Sequence, residues 1–255
     1  MKIDNKVLDA LGNTETEGNV LRIITKLDRP LYVAVNKVLE AAGGKWNRKV
    51  QGHVFDGDAG EVIDQIVLNG EVLNAKQELG DFPTPPAVVE RLLKNAGIKQ
   101  GMLVLEPSAG SGAIAVPIAK LGAIVHCFEI NQKHVDVLAS RLLQTAPEYS
   151  VTRADFLDIT PKTVNLRGDL YDRIVMNPPF AKQADIRNIL HALNFLAPGG
   201  RLVSVMSAGI TFRTTSLANT LREKITEIEP LPDGSFASSG TMVRTVIITI
   251  DKPRA

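Results

Sequence analysis

Two periodicities run through the chain. Compact apolar runs at Met102-Leu103-Val104-Leu105, Ala123–Phe128, Tyr171–Met176, 201–206 and 243–250 read as strands, with weaker ones near 149–153 and 225–230. Between them apolar residues recur at helical spacing. Val88, Val89, Leu92, Leu93 and Ala96 form one stripe, opened by Pro85 and Pro86 and closed by Gly97. Further helices are expected from the Gly-rich turn to about 120 and over 132–144, 184–196 and 215–224. Pro117 predicts that the first of these starts late or kinks. Ala197-Pro198-Gly199-Gly200 reads as a turn. Strands alternating with helices predict an α/β fold, a doubly wound, mainly parallel seven-stranded sheet covered on both faces.

The first 78 residues read differently, as a small α+β unit. Val20–Ile24 suits a strand, and Tyr32–Ala42 has helical spacing ending on Gly43-Gly44. Lys45–Phe55 reads as a turn with short strands, and Asp58 or Ala59 opens a helix that stops at Asn69-Gly70. Two domains are therefore expected, 1–78 and 79–255.

Composition narrows the class. The chain has 255 residues, 44% hydrophobic and 22% charged, which is ordinary for a globular protein with a sizeable core. A net charge of +1 advertises no global positive field, so any nucleic-acid contact must be a local patch. The single cysteine, Cys127, excludes a disulfide framework or a cysteine metal site within one chain, and reads as a buried strand residue. His126 and His134 read as structural, and no metal site is expected. No run approaches membrane-spanning length and no signal segment opens the chain, so a cytoplasmic protein is expected.

Candidate chemistry concentrates at two strand ends. Tyr171–Met176 stops on Asn177-Pro178-Pro179-Phe180. Two prolines end the ladder and stiffen the turn, which places Asn177 at the carboxyl edge where open α/β sheets bind ligands. The Asn oxygen and nearby carbonyls offer acceptors to an amino group, and Phe180 offers an aromatic face. Upstream, Leu103–Leu105 runs into Glu106-Pro107-Ser108-Ala109-Gly110-Ser111-Gly112, a strand–Gly-rich turn–helix arrangement suited to a nucleotide. Gly110-Ser111-Gly112 followed by Ala115 also fits the loose dinucleotide pattern of an NAD(P)-dependent oxidoreductase, which leaves the other motifs unexplained.

Taken together, Phe82-Pro83-Thr84-Pro85, then Glu106–Gly112, then Asn177–Phe180 resemble the S-adenosylmethionine-dependent amino-methyltransferases, particularly the N6-adenine DNA methyltransferases with gamma-like motif order. The resemblance covers roughly residues 80 to 250 and implies a Rossmann-like methyltransferase sheet, methyl transfer to adenine N6, and DNA as partner. It places the cofactor against Phe82, Thr84, Glu106, Pro107, Ser108, Ala109, Gly110, Gly112, Glu129, Ile130, Asp155, Phe156 and Asn177. Glu129 would accept from the ribose hydroxyls, a role that NAD would also fit, and Asp155 would accept from the cofactor's adenine amino group, with Phe156 flanking the ring. A strand-end acid and a helix-cap aspartate are the plain alternatives for those two.

Asn177, Pro178, Pro179 and Phe180 would be catalytic, with Phe180 stacking on the target base. Phe236 is either a second clamp or packing beneath its own loop. Lys45, Trp46, Arg48 and Lys49, with no acid until Asp56, suit phosphate contact and base stacking or, equally, a solvated turn over a core Trp46. The motif also occurs in enzymes that methylate cytosine N4, RNA guanine N2 or a protein glutamine amide, and a nucleic-acid-binding protein that holds the cofactor without turnover is a further alternative. Gamma enzymes usually carry a large target-recognition domain after the catalytic one, whereas this sequence ends almost at its last predicted strand, 243–250, so no such domain is expected here. Either the first eighty residues read DNA, or a partner subunit does, or recognition is relaxed; a specificity subunit or a homo-oligomer is the expected partner. A restriction-modification or phage context is what the resemblance implies.

Overall fold

The structure, a computed structural model, describes residues 3–70, 83–146, 148–164, 170–180, 183–239 and 244–254. The chain divides into two compact units, 1–80 and 81–180 with 184–255.

In the first unit, α1 (Asn5–Gly12) precedes the antiparallel pair β1 (Thr14–Glu17) and β2 (Val20–Ile23). Then come α2 (Arg29–Ala41), β3 (Lys45–Asn47), β4 (Gly52–Val54) and α3 (Ala59–Asn69). The strands form an antiparallel sheet in the order β1-β2-β4-β3. Each helix starts on an aspartate cap: Asp4, Asp28 and Asp58 accept from Lys6 N, Leu31 N and Glu61 N at 2.9, 2.8 and 3.0 Å. The core joins Leu11, Leu21, Val35, Leu39, Phe55 and Ile63. Neither α1 nor β1 is in the sequence reading, although Asp4 followed by Val7 and Leu11 on one face carries the signal for α1.

The second unit opens with α4 (Pro86–Ala96), β5 (Leu103–Glu106), α5 (Ala115–Lys120), β6 (Ile124–Glu129), α6 (Gln132–Leu143) and β7 (Tyr149–Arg153). It continues with α7 (Pro161–Val164), β8 (Tyr171–Met176), α8 (Ala184–Ala192) and β9 (Leu196–Ser207). It closes with α9 (Ser216–Arg222), β10 (Glu227–Pro230) and β11 (Thr245–Asp251). The expected seven-stranded sheet forms, in the order β10-β11-β9-β8-β5-β6-β7. Strands β9-β8-β5-β6-β7 are parallel, and β11 and β10 add antiparallel pairs at one side.

Period-two alternation divides the sheet's side chains between two cores. Val104, Val125, Val175 and Val203 pack on one face with Leu92 of α4, Ile118 of α5 and Leu138 of α6. Leu105, Ile174, Leu202 and Ile248 pack on the other with Ile186 and Ile189 of α8 and Leu221 of α9. Each of these buried aliphatic side chains contributes on the order of 1.5–3 kcal/mol.

One local expectation changes and another is resolved. Ala197–Gly200 lies inside β9 rather than forming a separate turn; the strand tolerates it because its register against β8 shifts between Tyr171 and Arg173 and Gly199 takes φ +74°. The Pro117 expectation resolves as the late start: α5 begins only at Ala115, so proline's missing N–H falls in the first turn and no kink is needed.

Candidate active site

The sheet is wound outward in both directions from its middle. β5 leads to β6 and β7, and the chain then returns to place β8 on the other side of β5. The carboxyl ends of β5 and β8 therefore flank the point where the winding reverses, the crevice in which such sheets hold ligands. The Gly-rich turn leaves β5 there and Asn177 leaves β8 there, with Leu105 paired to Ile174 in parallel register.

The turn after β5 is held from its neighbours. Ala109 N donates to Phe128 O at 3.0 Å, and Gly110 N donates to Glu129 Oε2 at 2.7 Å. The other Glu129 oxygen accepts from Asn131 N at 2.8 Å, so this carboxylate ties the end of β6 to the turn. Arg141 of α6 donates to Ser111 O at 2.8 Å. Gly110 has φ +51° and open space where a Cβ would stand. Gly112 has φ +93°, and a Cβ there would lie 2.7 Å from Leu138 Cδ1. Helix α6 thus packs against the turn so closely that only glycine fits.

Glu106, 1% exposed, points into this arrangement. Its Oε2 finds no hydrogen-bond partner among the described residues. Burial pushes the carboxyl well above the usual carboxylate range; the Ala115 N–H opposes this, and the Glu129 charge adds to it. Pro107 and Ala109 are buried, and Ser108 is half-buried.

Further along the same edge, Ile130 is 63% exposed beside Glu129. Asp155 is exposed and caps a short 3-10 turn, accepting from Leu157 N at 2.9 Å. Phe156 does not face the edge. It is buried against Phe128, His191 and Phe195, and Leu157, 38% exposed, is the apolar neighbour turned outward. The sequence pattern gave no means of choosing between two adjacent apolar residues on a single-turn helix.

Asn177 is half-buried at the end of β8, followed by buried Pro178, exposed Pro179 and half-buried Phe180, which packs against the first core. Its Nδ2 donates to Thr84 Oγ1 at 3.0 Å, a bond spanning 93 positions. Pro83 O in turn accepts from Ser239 Oγ at 2.6 Å. The segment before α4 is thereby tied to Asn177 on one side and to the loop after β10 on the other. Phe82 lies outside the described residues.

Phe236 is fully buried in the core with Leu231 and Val205. A ring with no exposed face cannot stack on a base, so the clamp reading gives way to packing beneath the loop. His126 Nδ1 lies 3.0 Å from Tyr171 OH between two strands, and burial, followed by the nearby Cys127, pushes the Tyr171 hydroxyl up to about 12. His134 Nδ1 stands 3.9 Å from Glu129 Oε1.

In the first unit, Lys45, Trp46, Arg48 and Lys49 are all exposed on the β3–β4 hairpin, where β3 is a sheet edge. Trp46 is 49% exposed rather than in the core, with its ring 5.2 Å from that of buried His53. Burial holds the His53 pKa down against the raising effect of Glu40, which favours the neutral ring. Between Asn19 and Phe55 the sequence holds seven Lys or Arg and two Asp or Glu.

The methyltransferase small domain family matches residues 87–231, more than half of the chain. The chain belongs to that family. Its cofactor is S-adenosylmethionine, and the oxidoreductase alternative falls away. The residues at the edge fit the cofactor: a buried carboxylate with an unsatisfied oxygen suits its positive charge, and Gly110 leaves room for close approach.

A small-subunit ribosomal RNA methyltransferase A from Enterococcus faecalis is 26% identical over 159 residues, 60% of this chain and 52% of its own length. The chain thus spans about half the length of the curated relatives it matches. Among solved structures, TrmN from Thermus thermophilus superposes with TM-score 0.53 at 21% identity, over 69% of this chain and 51% of that one. A type I restriction-modification methyltransferase subunit from Streptococcus thermophilus gives TM-score 0.58 at 18% identity, over 78% and 51%. Both share the fold. Among the described residues no helix is long and apolar enough to cross a membrane.

Proposed function

We propose that this protein transfers a methyl group to the exocyclic N6 amino group of adenine in DNA. The observation that carries the reading is the Asn177 amide, set at the switch point by its bond to Thr84 and followed by two prolines. An aromatic amine is a poor nucleophile because its lone pair is delocalised into the ring. With Nδ2 committed to Thr84, the amide keeps one orientation, and Oδ1 with the Pro178 carbonyl can accept both N–H bonds of the amine. That favours a pyramidal nitrogen with its lone pair turned toward the electrophile. Phe180 would stack on the base. Alignment and electrostatics would then supply much of the rate.

The cofactor, when bound, supplies a methyl group made electrophilic by its sulfonium. Glu106 and the Gly110 turn would hold its charged end, together with the segment of Phe82 and Thr84. Glu129 would take the ribose, and Ile130, Asp155 and Leu157 would take the adenine. Transfer would form the nitrogen–carbon bond at the expense of the methyl–sulfur bond, and the alkylated nitrogen would release its proton to solvent.

The exposed hairpin of Lys45, Trp46, Arg48 and Lys49 suits a polynucleotide backbone. Replacing Lys45, Arg48 and Lys49 by alanine should weaken DNA binding and flatten its salt dependence by up to about three phosphate contacts. Unchanged titrations at two salt concentrations would leave the hairpin as surface only.

RNA is the second reading, favoured by the ribosomal RNA substrate named for the curated relatives. The decisive experiment incubates purified protein with methyl-labelled S-adenosylmethionine and unmethylated DNA, with total RNA in parallel, and identifies the labelled nucleoside by mass spectrometry. N6-methyldeoxyadenosine is expected. N6-methyladenosine from RNA keeps the chemistry and changes the polymer. Label in neither nucleic acid, but in a protein glutamine, overturns the reading.

A further inference from the structure

A base stacked on Phe180 alone has one open face, and Phe236, buried in the core, does not cover it. The neighbouring strand offers another aromatic. Met176, the last residue of β8, pairs with Ser204 of parallel β9, and β9 continues three residues further to Ser207. The chain then makes a 3-10 turn, Ala208–Thr211, at the same carboxyl edge from which Asn177 emerges. Phe212 follows, 49% exposed.

A singly exposed aromatic is common on protein surfaces. This one is mounted rigidly. Its neighbours Ile210 and Arg213 are buried at 0% and 5% exposure. Phe212 N and Arg213 N both donate to Gly209 O, at 3.1 and 2.8 Å. Arg222 of α9 donates to Ile210 O at 3.1 Å and also to Arg213 O. The turn is further braced against the segment after Phe180. Fully buried Asp185, in the first turn of α8, accepts from Ser207 N at 3.1 Å through one oxygen and from Ile186 N at 2.9 Å through the other. Ser207 Oγ accepts from Gly209 N at 2.9 Å. Asn177 and Phe212 therefore leave adjacent strands at one edge, and a single buried carboxylate links the elements that follow them.

We infer that Phe212 is a substrate-contacting residue that covers the second face of the target base and helps decide which ring the site accepts. The inference rests on the proposed transfer to a nucleobase amine. A flat aromatic ligand is the chemistry that an exposed phenyl ring at this edge recognises, and because the backbone on both sides is already held, stacking has only the ring's own side-chain torsions to order.

The test measures steady-state kinetics of wild type, Phe212→Ala, Phe212→Leu and Phe212→Trp on the polymer that wild type methylates. Cofactor dissociation constants are measured by calorimetry alongside. Alanine and leucine are expected to raise the polynucleotide KM about tenfold, the effect of losing one stacked face. Tryptophan should restore it, and the cofactor constant should stay within twofold throughout. A leucine variant equal to wild type would mean that bulk rather than an aromatic face is needed and would overturn the inference. Unchanged KM in all three variants would do the same. If wild type labels neither DNA nor RNA, the proposed function fails first and this inference with it.

Discussion

Two turns leave parallel strands at one sheet edge, and they are held in different ways. The turn after β5 is a local construction, bonded to Phe128, Glu129 and Arg141 of the next strand and helix and closed under Leu138. The turn after β8 is stiffened by prolines, and its functional side chain is oriented by Thr84, 93 positions away. The first can form within one continuous stretch, from β5 through α6. The second needs the chain to return to the middle of the sheet and to bring the start of α4 against it. Loss of the first should act on cofactor binding and stability, and loss of the second on turnover.

The sharpest way to separate them is Asn177→Ala. Turnover should fall about 10²–10³-fold, with cofactor affinity nearly unchanged, because the amide acts on the amine and not on the methyl donor. Equal losses in kcat and in cofactor binding by calorimetry would merge the two turns into one function.

Gly112→Ala probes the other turn. The strain of a non-glycine residue at φ +93° and the contact with Leu138 should cost about 2–3 kcal/mol of stability, read from urea unfolding. A variant as stable as wild type would show that α6 does not close the turn.

Asp155→Ala should weaken cofactor binding about tenfold without changing kcat at saturation, the size expected for one hydrogen bond to a charged acceptor. An unchanged dissociation constant would return Asp155 to a plain cap for Leu157.

The smallest effect concerns Glu106. Its folded-state pKa is raised, so the folded chain holds the proton more tightly than the unfolded chain. Its contribution to stability is therefore present at low pH and declines as pH rises through and above the usual carboxylate range. Wild type should lose melting temperature relative to Glu106→Gln over that rise. Parallel melting curves across pH would contradict the buried, unsatisfied carboxyl.

Much of the site is legible in the residues because its parts are local. A strand that ends on Asn177 and two prolines announces its own edge, and Glu106–Gly112 announces a tight turn before a helix. Where the reading missed, a side chain's direction was at stake. Phe156 and Leu157 differ by one position on a single turn, and packing against Phe128 and Phe195 turned the first inward. Phe236 and Phe212 are both single aromatics in loops at the ends of strands, and burial against Leu231 and Val205 separates them. Trp46 is the converse: the sequence left it between core and surface, and its place on an edge strand put it outside.

By itself the sequence determined most of the order of strands and helices in the second unit, the α/β class and the two strand ends that carry polar chemistry. Period and turn composition are local properties, written residue by residue. Only the tertiary structure decided that β8 lies beside β5, that Thr84 meets Asn177, and that Asp185 links the segments leading to Phe212 and away from Phe180. These are contacts between distant parts of the chain. They are set by which faces of sheet and helix bury against each other, and no single stretch of residues contains that information.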